Sequence, residues 1–137
     1  VIQYTAEVIL SSIHSNENRN NINSNSFVGH IGGDDFLAIV PYINVDELCQ
    51  TIIATFDKGI KNFFSKEDLE KGYIESENRK GNIEIFPITG ISIGVVIAEK
   101  DRFTNILEIS EVGTQVKHLA KSIQGSSYAI DRRKHNR

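Results

Sequence analysis

Two adjacent glycines followed by two adjacent aspartates, Gly32-Gly33-Asp34-Asp35, lie between two short β-prone runs at residues 27–31 and 36–40. That arrangement reads as a hairpin with chemistry at its tip. Glycine has no Cβ, so the backbone at the tip can come close to a bulky ligand. The carboxylates supply hard oxygen ligands, which suit Mg²⁺, and Mg²⁺ commonly bridges protein carboxylates to substrate phosphates. In an extended strand, neighbouring side chains point to opposite faces, but a turn can bring both carboxylates to one rim. Phe36 then returns the chain to the core. The same four residues also make an ordinary surface hairpin in which Gly and Asp serve only turn geometry. Spacing alone leaves both readings open.

The elements that must hold this turn are legible on either side of it. Residues 1–13 place Val1, Ile2, Val8, Ile9 and Ile13 on one helical side. Residues 16–25 contain six asparagines, which favour turns, and read as an exposed loop. Pro41 ends the second strand of the hairpin. Asn44 and Glu47 have the spacing of a capping box. Behind them Val45, Leu48, Cys49, Ile52, Ile53, Phe56, Ile60 and Phe63 repeat at helical spacing, the strongest amphipathic pattern in the chain. Residues 65–71 read as a helical turn, and residues 73–76 and 82–86 as a small hairpin around residues 77–81.

Residues 88–98 read as one long strand. Ile91, Ile93, Val95 and Ile97 alternate there with Gly90, Ser92, Gly94 and Val96, so a helix or a ligand must pack closely on the small face. Thr104 is the expected cap of a last helix whose inner face carries Ile109, Val112, Val116, Leu119, Ala120 and Ile123. Gly125 stops that helix, and residues 127–130 form a final strand. The basic tail of Arg132, Arg133, Lys134 and Arg137 reads as a solvated terminus. The expected fold class is α+β, an antiparallel-centred sheet flanked by helices. With one more strand and helix ahead of Val1, it would be a ferredoxin-like fold of the polymerase-palm type.

Composition narrows the function classes. The 137 residues suit one domain, 39% hydrophobic and 24% charged, with two prolines, which excludes disorder and a fibre. A net charge of −3 and a pI near 5.8 argue against a nucleic-acid polymer as partner. Cys49, the lone cysteine, cannot form an internal disulfide and reads as a buried thiol. His14, His118 and His135 are scattered with no ligand spacing. No apolar run approaches the ~18 residues of a membrane span, so the expected location is cytoplasmic with no membrane contact by this domain, although a parent protein could be tethered elsewhere. The chain has no methionine and opens on Val1, so an interior fragment is expected.

The wider string Phe27-Val-Gly-His-Ile-Gly-Gly-Asp-Asp-Phe-Leu-Ala-Ile-Val40 resembles the signature of the GGDEF family, the diguanylate cyclase domains of bacterial cyclic-di-GMP signalling. Ile91-Ser-Ile-Gly-Val95 is similar to a later strand of that family, and Ala120-Lys121 to the end of its last helix. The likeness runs through most of the chain in order, as one GGDEF-type domain over residues 1–137 that begins after the family's first strand. Residues 65–87, together with the ending from Ala120 to Arg133, are similar to a family subset in which the domain follows a phosphodiesterase domain and CBS repeats.

In the family, two domains face each other with one GTP each, which implies a homodimer. Each 3′-hydroxyl attacks the α-phosphate of the other GTP, and pyrophosphate leaves. The resemblance implies that Gly32 and Gly33 admit the nucleotide. It implies further that Asp34 acts on the attacking hydroxyl, Asp35 binds Mg²⁺ and Lys121 reaches the phosphates. On its residue type alone, Lys121 is equally an exposed helix lysine.

Several positions depart from the family pattern, all in the direction of lost charge or reach. Asp35 replaces a glutamate and is one methylene shorter, while Mg²⁺ demands near-ideal geometry at short distance. His30 stands where an arginine usually precedes the glycines. Ser126 and Ser127 follow Gly125 where another arginine is usual, and losing a bidentate phosphate binder is not conservative. Asn23-Ser24-Asn25-Ser26 occupies the stretch where the family carries its Arg-x-x-Asp product-inhibition motif. The expected function is therefore a degenerate GTP-binding or regulatory module with weak or no cyclase activity. The alternative is an active diguanylate cyclase using Asp34, Asp35 and Mg²⁺.

Overall fold

The computed structural model describes residues 2–19, 26–41, 44–87, 89–98, 103, 105–123 and 125–131. They fall into two compact units, Val1–Thr89 and Gly90–Arg137. The fold class is α+β, with four helices longer than one turn and six strands among the described residues. No described helix is long and apolar enough to cross a membrane.

In the first unit, α1 (Ile2–Arg19) packs on α2 (Val45–Ile60). The buried residues of α1 are Thr5, Val8, Ile9, Ser12, Ile13, Asn16 and Glu17, a stripe at steps of three and four. The helix was expected to end near Ile13, with a loop from Asn16; instead it runs on to Arg19. Asn16 and Glu17 extend the buried stripe, and Glu17 accepts a hydrogen bond from the Ser26 hydroxyl. Packing here outweighs the weak helix propensity of asparagine. Ile2, expected on the inner side, is exposed. Val1 and residues 20–25, the rest of the asparagine-rich stretch, lie outside the described residues.

On α2, Leu48, Cys49, Ile52, Phe56 and Ile60 are buried, as the spacing predicts. Tyr4 of α1 lies across this helix. Its hydroxyl donates to the Thr55 and Phe56 carbonyls at 3.0 and 3.2 Å, and its ring stands 5.8 Å from Phe56 and 5.1 Å from Phe63. Gly59 is what admits the ring, since a Cβ there would fall 1.9 Å from the tyrosine oxygen. Phe63 belongs to a 3₁₀ turn (Lys61–Phe63) and is half-exposed, not part of the buried face.

The Asn44–Glu47 pair caps α2, with a side-chain contact in place of the second backbone bond of the box. Asn44 Oδ1 accepts from the Glu47 N–H at 3.2 Å, and its amide donates to the Glu47 carboxylate at 3.0 Å. Asn44→Ala is expected to lower stability by about 1 kcal/mol. Urea unfolding followed by circular dichroism reads this, and an unchanged midpoint would show that the box contributes nothing.

The hairpin strands β1 (Phe27–Gly32) and β2 (Asp35–Ile39) pair antiparallel. A short α3 (Lys66–Lys71), capped by Ser65 and ended by Gly72 at φ 81°, leads into a second antiparallel ribbon. Its strands are β3 (Tyr73–Glu77) and β4 (Ile83–Pro87). The Asn78 side chain closes the turn by accepting from the Lys80 and Asn82 N–H groups.

The second unit is a βαβ arrangement. Strands β5 (Ser92–Val95) and β6 (Ser127–Ile130) run parallel, joined through α4 (Ile106–Lys121). The close approach expected on the small face of β5 is made by a helix: a Cβ on Gly94 would lie 2.7 Å from the Lys117 backbone nitrogen. The strand itself is four residues long rather than the expected residues 88–98, because its ladder extends only as far as β6.

The cap of α4 is Asn105, whose side chain accepts from the Glu108 N–H. Thr104, the expected cap, lies outside the described residues. Val116 and Ala120 are buried and Ile109 and Val112 half-buried, but Leu119 and Ile123 are exposed. The contact line of α4 runs through Lys117 and Ala120, so Leu119 falls to its side and Ile123 beyond its end.

Among the described residues, hydrogen-bonded strands form three pairs, two antiparallel and one parallel. The one antiparallel-centred sheet expected from the sequence is not formed by these ladders. The basic tail at residues 132–137 lies outside the described residues.

Candidate functional site

The tip between β1 and β2 is built by backbone demands. Gly33 is the first central residue of a two-residue loop and has φ 56°, the positive value that both favoured hairpin turns require there. Gly32 sits at φ 143°. A Cβ added at either position would meet nothing within 4 Å. The glycines are there for conformation, and their exposed backbone leaves the tip open to an approaching molecule.

Asp34 is exposed at the second loop position, and Asp35 is half-buried at the start of β2. The hairpin therefore brings together Gly32, Gly33, Asp34 and Asp35, as the sequence predicts. Lys121, the fifth residue singled out in the sequence, is the exposed last residue of α4 and belongs to the second unit.

The ladder around the tip is irregular. His30 pairs with Phe36 and Gly32 with Asp35, so Ile31 is an extra residue in β1, a bulge of the kind that re-aims a strand end. Across it, the His30 ring stacks on Phe36 with centroids 4.9 Å apart, and His30 Nε2 lies 2.7 Å from the Gly33 carbonyl oxygen. Sequence reading noted His30 only as an odd residue before the glycines. Spacing alone gave no signal for this contact: a regular hairpin closing on Gly33-Asp34 would set Ile31 opposite Phe36, and only the bulge brings His30 there.

Two adjacent carboxylates fit a hard divalent cation in kind, but among the described residues no three His, Cys, Asp or Glu side chains gather to hold one. A Mg²⁺ ion here would need water and substrate oxygens to complete its shell. Asp35 would be the ligand and Asp34 its exposed neighbour.

Two other features do not compete as sites. A shallow recess of about 650 Å³ between α1 and α2, lined by Tyr4, Ala54, Thr55, Lys58, Gly59 and Asn62, holds no cluster of acid, base or nucleophile. Cys49 is buried as expected; burial, with the Asp46 carboxylate adding to it, pushes its thiol up to about 12.

Comparison of the chain with protein-family models, with curated proteins and with solved structures finds no match.

Proposed function

We propose that the chain is a GGDEF-type domain of bacterial cyclic-di-GMP signalling that acts as a GTP-binding regulatory module with weak or no cyclase activity. The observation that supports this reading is the β1–β2 tip, with two glycine backbones open to solvent and two carboxylates beside them. In this reading the strands belong to a ferredoxin-like, polymerase-palm sheet. The module works within a larger signalling protein, alongside phosphodiesterase and CBS domains, and as a homodimer.

Gly32 and Gly33 admit the nucleotide and Asp35 would hold the metal, while a phosphate role for Lys121 rests on the resemblance alone. A bound Mg²⁺ would neutralise phosphate charge. The short reach of Asp35 and the engagement of His30 with Gly33 leave the tip poorer in charge than phosphoryl transfer requires. The active-cyclase reading is favoured by one observation, the exposed Asp34 carboxylate at the loop centre.

The test is calorimetry with GTP and Mg²⁺ on the protein in its natural length, with product analysis on the same mixture. Mg²⁺-dependent GTP binding is expected, weakened about tenfold in Asp35→Asn, because charge-assisted contacts are the strong ones. Cyclic di-GMP is expected only at trace level. Rapid formation of cyclic di-GMP and pyrophosphate, abolished in Asp34→Ala, would replace this reading with the active cyclase. Absence of GTP binding would overturn both readings.

A further inference from the structure

We propose that His30 is a positioning residue that selects one of two turn conformations at the hairpin tip and so fixes where the Asp34 carboxylate starts. The inference deepens the reading of the tip as a nucleotide site and rests on it for its functional consequence.

Two-residue hairpin loops have two favoured forms, types I′ and II′. They share a positive φ at the first central residue and differ in the orientation of the peptide between the two central residues. Here that peptide is Gly33–Asp34. Glycine accepts either form at little cost, and no neighbour within 4 Å of the Gly33 Cβ position restrains it. Left to itself, this loop is the easiest place in the hairpin for a peptide plane to rotate.

His30 removes that freedom. A carbonyl oxygen has no proton to give, so the 2.7 Å contact between His30 Nε2 and Gly33 O requires the hydrogen on Nε2. The ring cannot follow a rotating carbonyl, because it is stacked on Phe36. The six atoms of a peptide unit, from the Gly33 Cα to the Asp34 Cα, are coplanar. Fixing the Gly33 oxygen therefore fixes the Asp34 Cα and turns the Asp34 N–H away from His30. The bulge at Ile31 brings residue 30 within reach of residue 33.

Two substitutions separate the hydrogen bond from the stack. His30→Phe keeps a ring on Phe36 and loses the donor; His30→Gln keeps an N–H donor and loses the ring. In the ligand-free protein, NMR relaxation dispersion at the Asp34 amide is expected to be flat in the natural sequence. Microsecond-to-millisecond exchange is expected in His30→Phe and is suppressed again in His30→Gln. GTP affinity with Mg²⁺ is expected to fall about five- to tenfold in His30→Phe, the worth of one hydrogen bond, and to stay within about twofold in His30→Gln. An Asp34 amide in His30→Phe as quiet as in the natural sequence would overturn the proposal. If the natural protein binds no GTP, the nucleotide reading fails while the dispersion result still decides whether His30 sets the turn.

Discussion

Phe56→Ala is expected to destabilise the first unit by about 3–5 kcal/mol, the usual cost of emptying a buried aromatic site. Phe56 is 2% exposed in the middle of the α2 face, and its ring also supports Tyr4, which bridges to α1. Removing it leaves a void between two helices that cannot both move in, because Tyr4 is tied to the Thr55 and Phe56 carbonyls. A loss of that size is a large share of the ~5–15 kcal/mol that holds an ordinary domain together. Phe63→Ala is the control: at 49% exposure it is expected to cost less than about 2 kcal/mol. Equal losses in urea unfolding for the two variants would mean that Phe56 does not lie on the buried face of α2.

Gly94→Val is the second large effect, expected to cost the second unit about 3 kcal/mol or more, at the upper end of overpacking penalties. Valine is a better strand former than glycine, so propensity alone forecasts a gain. Sterics decide the other way. The first added carbon would stand 2.7 Å from the Lys117 nitrogen and 3.0 Å from its Cα. Both are helix backbone, which cannot swing aside as a side chain would. Helix α4 must lift off β5, and the Val116 and Ala120 contacts loosen with it. Faster amide exchange at Ile93 and Ala129, residues of the parallel β5–β6 ladder, is the measurement. Unchanged exchange would show that α4 does not rest on Gly94.

Both variants fall where the sequence was already informative. The α2 repeat, its Asn44 cap and the glycines of β5 each carry a local rule strong enough to act alone: a period, a hydrogen-bonding pair, a missing Cβ. The Gly33-Asp34 turn was legible for the same reason. What the sequence hid depended on partners. Helix α1 passes through Asn16 because Glu17 finds Ser26, a contact across nine residues. Strand β5 stops at Val95 because its ladder follows β6, and no pattern within residues 88–98 announces that limit. At the start of α4, Thr104 and Asn105 are both good caps. Thr104 was the expected cap, although the Asn105–Glu108 spacing repeats that of Asn44 and Glu47.

The candidate site divides in the same way. Glycine and aspartate identities marked the tip, whereas the His30 clamp needed the bulge at Ile31, which sequence spacing does not reveal. Alternation also could not tell which face of the hairpin is covered: Phe27, Leu37 and Ile39 share one side and are all exposed.

The burial of Cys49 has a practical consequence for following this hairpin in solution. With the thiol pushed up to about 12, very little of the sulfur is ionised at neutral pH, and the thiolate is the reactive form. The native chain is thus nearly silent toward maleimides. A cysteine placed at an exposed position of β2 such as Ala38 would take a fluorophore or spin label alone, so the natural thiol can stay where α2 needs it.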